Sequence, residues 1–94
     1  MYARVVRFTD VSADRIKEIS SRVESEGGPP EGVDSTGMQL IFDEGQGTAV
    51  FIGFFDSEEK MKSSAKVLEA MDGGDTPGTR ASVDSGAVAI ERDA

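Results

Sequence analysis

Three features of the chain predict an α+β fold of order β-α-β-β-α-β, a four-stranded antiparallel sheet with both helices on one face. Apolar residues alternate with a period of two over residues 2–9, 38–43 and 48–55. They recur at helical spacing after Ser12 and again after Ser57, and glycine- and proline-rich clusters separate the segments. The two halves also echo each other, since Phe8, Asp10 and Ser12 precede the first helix as Phe54 or Phe55, Asp56 and Ser57 precede the second. This is the split βαβ, or ferredoxin-like, plan in a single domain covering residues 1–94.

Strand one is YARVVRFT, with Tyr2, Arg4, Val6 and Phe8 on one face and Ala3, Val5, Arg7 and Thr9 on the other. Ser12 is placed to cap the first helix, Asp14 suits its first turn, and Ile16, Ile19 and Val23 form its apolar stripe from about Ala13 to Glu26. Gly27, Gly28, Pro29 and Pro30 end it. Residues 31–37 read as a polar loop. Met38, Leu40 and Phe42 alternate along strand two, and Glu44–Gly47 is a hairpin signal.

Strand three, Thr48–Phe55, is apolar on both faces and runs directly into the second helix. Ser57 caps that helix, Glu58 and Glu59 favour its positive end, and Met61, Ala65, Leu68 and Met71 or Asp72 make its stripe. Phe51, Phe55, Met61, Ala65 and Leu68 are expected to close the interior. A loop over residues 72–78 leads to a last strand expected from about Arg80 to Arg92, bulged near Ser85-Gly86.

A net charge of −8, shared evenly by the two halves, repels a phosphate backbone and disfavours nucleic acid and anionic membrane as partners. With no Cys there are no disulfides, thiolate metal sites or cysteine nucleophiles, and with no His there is no Ser-His-Asp triad. No apolar run approaches the ~18 residues of a membrane span. The chain reads as soluble and cytoplasmic.

A 94-residue chain buries only about 60–65% of its unfolded surface. Helices cover one face of the sheet, so in a monomer the other face should be polar. Val50, Ile52 and Phe54 instead offer it an apolar strip. A homodimer joined sheet to sheet is the expected partner arrangement.

The run Gly32–Asp43, the turn at Gly45–Gly47, and the strand ending Phe55-Asp56-Ser57-Glu58-Glu59-Lys60-Met61 resemble the dimeric α+β barrel superfamily, in particular its antibiotic-biosynthesis-monooxygenase-like members. The resemblance covers nearly the whole chain in element order. It implies a barrel-like homodimer and a small hydrophobic cavity between sheet and helices. Monooxygenase-type members often carry Trp at the end of the third strand, where this chain has Phe55. Haem-degrading relatives use a His on the second helix, and the absence of His excludes that ligation here.

The candidate pocket is therefore Tyr2, Arg4, Phe51, Phe55, Met61, Ala65 and Leu68, taking a small hydrophobic or aromatic molecule. The same apolar side chains also answer the needs of so small a core. Arg4 and Arg7 lie on opposite faces, where one could bind a carboxylate or enolate; the favoured expectation is that they reach the rim or pair with an acid across the dimer. Asp72 and Asp75 read as a solvated turn, so no metal site and no cofactor are expected. No glycine-rich phosphate loop occurs between a strand and a helix. The alternative activity is a cofactor-independent monooxygenase or isomerase acting on an aromatic or polyketide-like substrate, with Tyr2 or an arginine as hydrogen-bonding partner.

Overall fold

A computed structural model describes residues 1–27, 32–70 and 77–93. The alternating segment Tyr2–Thr9 forms β1, followed by α1 (Ala13–Glu26), β2 (Gly37–Asp43), β3 (Thr48–Phe55), α2 (Glu58–Glu69) and β4 (Thr79–Ala87). The strands lie in the order β2-β3-β1-β4, all neighbours antiparallel, which is the ferredoxin-like sheet predicted from the element order.

Register sorts the side chains onto two faces. Tyr2, Arg4, Val6 and Phe8 stand opposite Phe55, Gly53, Phe51 and Ala49, and β2 adds Leu40 and Phe42 to the same side. Val6, Phe8, Val11 and Ala49 form the main core there, with Ile16, Leu40, Phe42 and Phe51 packed against them. Phe55 and Met61 are buried at the other end of this face. Ala65 and Leu68, expected to help close the interior, are only half-buried. The densest packing thus lies where β1 leaves the sheet, because Val11 folds back there: its N–H donates to the Gly47 carbonyl at 2.9 Å.

Both helices start as their caps predict. Ser12 accepts from the Arg15 amide and Ser57 from the Lys60 amide, each at 3.2 Å. Gly27 closes α1 in the left-handed conformation, its N–H donating to the Val23 carbonyl at 3.2 Å. The expected stops at Gly28, Pro29 and Pro30, the second-helix stripe position at Met71 or Asp72, and the aspartates 72 and 75 lie outside the described residues. In the β2–β3 turn, Gly47 takes φ 66° and the Asp43 carboxylate accepts from the Gln46 amide and side chain.

The last strand departs from expectation. It ends at Ala87, not Arg92, and Ile90 beyond it is 88% exposed. Ser85 and Gly86 pair regularly with Arg4 and Ala3, and the irregularity falls where Arg7 and Phe8 face Ser82 and Arg80. Every residue of β4 is exposed, so no buried face enforces the alternation that marks the other strands.

Candidate functional site

The helix-covered face brings most of the expected pocket residues together. Arg4 sits on a central strand opposite Gly53, and a Cβ at Gly53 would meet the Phe55 ring at 3.3 Å and the Phe51 ring at 3.7 Å. Both rings therefore lie over the bare backbone of Gly53, beside Arg4. Met61 is buried on the first turn of α2, Ala65 and Leu68 continue its stripe, and Tyr2 is half-buried opposite Phe55.

Arg4 does not reach the rim as one of its expected roles required. It is 5% exposed, held in the sheet layer because its strand position alternates with Val6 and Phe8. Its Nη2 lies 4.0 Å from Oε1 of Glu69, in the last turn of α2 of the same chain. Burial pulls its pKa below the ordinary arginine value; Glu69 opposes this and Arg80 adds to it. Arg7, on the opposite face, is exposed.

Ser64, Glu69 and Arg80 were not singled out from the sequence. Ser64 is fully buried and accepts the Asp34 amide at 2.9 Å, fixing the loop before β2 to α2. A Cβ on Gly32 would meet Val67 at 3.0 Å, so that loop lies tight against the helix. Glu69 stands four residues after Ala65 and eight after Met61, a spacing that extends the sheet-facing stripe and gave the one available signal.

The outer surface of α2 is ordinary solvated helix. Glu58 and Lys62 form an i,i+4 pair at 2.6 Å, beside an open hollow of about 420 Å³ lined by Glu58, Glu59, Lys62, Ser63 and Lys66. This hollow is remote from the aromatic rings. Among the described residues no three His, Cys, Asp or Glu side chains converge as a metal site, and no helix is long and apolar enough to cross a membrane.

The face turned away from the helices carries Val50, Ile52 and Phe54, with Val5 opposite Ile52 and Ile41 opposite Val50. Ile41 is 54% exposed and the other four are half-buried, so the strip runs across β2, β3 and β1.

The chain is an α+β domain of the ferredoxin-like plan. Among solved structures it is similar to the crystal structure of an arginine-to-serine mutant of MhuD with two manganese protoporphyrin IX molecules bound per active site. The match has a TM-score of 0.63 and covers 100% of both chains at 16% identity, a likeness of fold. No protein-family model matches the chain, and no curated protein matches it.

Proposed function

We propose that the protein is a homodimeric, cytoplasmic α+β barrel that binds a small, flat hydrophobic or aromatic molecule on the helix-covered face of its sheet. The observation that carries this reading is the grouping of Phe51, Phe55 and Met61 beside Arg4, under a helix layer in which α1 has no buried residue. Tyr2, Ala65 and Leu68 complete the lining. The apolar strip of Val50, Ile52 and Phe54 supports a partner subunit on the opposite face.

MhuD was crystallised with a manganese porphyrin, which makes a tetrapyrrole one ligand to weigh. The residues here do not fit a metal porphyrin held by imidazole or thiolate, because the chain contains neither His nor Cys and α2 turns Met61, Ser64, Ala65 and Leu68 to the sheet. A purely organic, flat ligand fits the aromatic lining better. The second reading, a cofactor-independent oxygenase or isomerase, is supported by the half-buried Tyr2, whose hydroxyl is the uncharged hydrogen-bonding group of the lining.

Mass spectrometry of small molecules released from the purified protein tests the binding reading. A recurrent flat apolar compound, lost in a Phe51→Ala variant, is the expected result. Protein that carries nothing and binds no aromatic compound at millimolar concentration overturns it.

A further inference from the structure

Arg4 is more thoroughly enclosed than paired. Its side chain is 6% exposed, while Glu69 is 56% exposed and its nearest recorded approach of 4.0 Å is too long for a hydrogen bond. Among the described residues no acceptor hydrogen-bonds to the guanidinium. Yet no buried side-chain nitrogen is sealed without a partner, so the unbonded Arg4 nitrogens keep a trace of accessible surface. A guanidinium has five N–H donors in a fixed fork, and withdrawing them from water is costly unless an acceptor replaces it. Arg80, exposed on the same face opposite Phe8, adds a second positive charge nearby.

We propose that Arg4 is the charge anchor of a site for a flat hydrophobic carboxylate, with the half-buried Phe51 ring receiving its apolar body. The proposal rests on the reading that this face takes a flat apolar ligand, and names the ligand's chemical class. A planar carboxylate matches the guanidinium fork through two parallel hydrogen bonds, and the apolar flank disfavours a small, heavily hydrated anion such as phosphate. Glu69 occupies the anchor loosely when no ligand is present and yields to it, its own carboxylate returning to water.

The test is calorimetric titration of the full chain with 2-naphthoate and, separately, with uncharged 2-naphthamide. The proposal expects the acid to bind at least 10-fold more tightly than the amide, and Arg4→Gln to erase that preference. It also expects Glu69→Gln, a change at a half-exposed helix position, to tighten the acid several-fold and not the amide. That arm holds even if Arg4→Gln fails to fold. Equal binding of acid and amide, or a Glu69→Gln variant with unaltered preference, overturns the carboxylate anchor and leaves the aromatic pocket standing. Binding of neither compound overturns the pocket itself.

Discussion

Gly78 has no room for a side chain, since an added Cβ would run into the carbonyl oxygen of Thr9 and press on the Val11 methyl at 3.0 Å. Backbone cannot yield as a flexible side chain does. Gly78→Ala is expected to cost about 2–3 kcal/mol in urea unfolding at fixed protein concentration. Ser64→Ala leaves the Asp34 amide without its acceptor and is expected to cost about 1–2 kcal/mol. Both effects arise from positions that sequence reading passes over, because a glycine in a loop and a serine on a helix have ordinary local explanations. Arg4 was legible in its face and illegible in its depth: alternation placed it with Val6 and Phe8, but a charge normally argues for exposure. Lys62 illustrates the opposite case. Its hydrogen bond to Glu58 raises its pKa above 10.5, so the favourable pairing is present below that pH and is lost as pH rises through the raised value. In an NMR titration Glu58→Gln should return Lys62 to the ordinary lysine range.

Among the elements, β1, α1 and β3 have the bounds that periodicity predicts, while β4 does not. The difference is physical. β1 and β3 lie at the centre of the sheet and carry a buried face, whereas TRASVDSGA is exposed throughout and held by its ladder to β1. Such a strand leaves no hydrophobic period to read. α1 is periodic but shallow, with no buried residue and Val23 40% exposed. Local opening is therefore expected first in α1 and β4, and hydrogen exchange should protect the β1 and β3 amides longest. Uniform protection across all six elements would contradict this ordering. The α1 cap has correspondingly more influence: Ser12→Ala should cost about 1 kcal/mol.

For the whole molecule, the open strip of Val50, Ile52 and Phe54 is the face on which the proposed dimer rests. Ile52→Glu is expected to convert a dimer into a monomer in size-exclusion light scattering at micromolar concentration, because two carboxylates would have to be buried face to face. An Ile52→Glu protein that stays dimeric would place the interface elsewhere. Each protomer carries −8, so raising salt should tighten the association by screening that repulsion. The proposal of a dimer comes from the sequence, through the two-faced apolarity of β3, a signal that needs no side-chain contacts. A carboxylate partner for an arginine was also suggested by the sequence, but the choice of Arg4 over Arg7 was not, because it depends on the depth of Arg4 and on how few acceptors among the described residues surround it.

The chain has one tyrosine and no tryptophan, and that tyrosine stands opposite Phe55. Its ultraviolet emission is thus a built-in optical gauge at one known place. An aromatic guest that absorbs where tyrosine emits would quench it by energy transfer, reporting occupancy without any label and without a second fluorophore to confuse the signal.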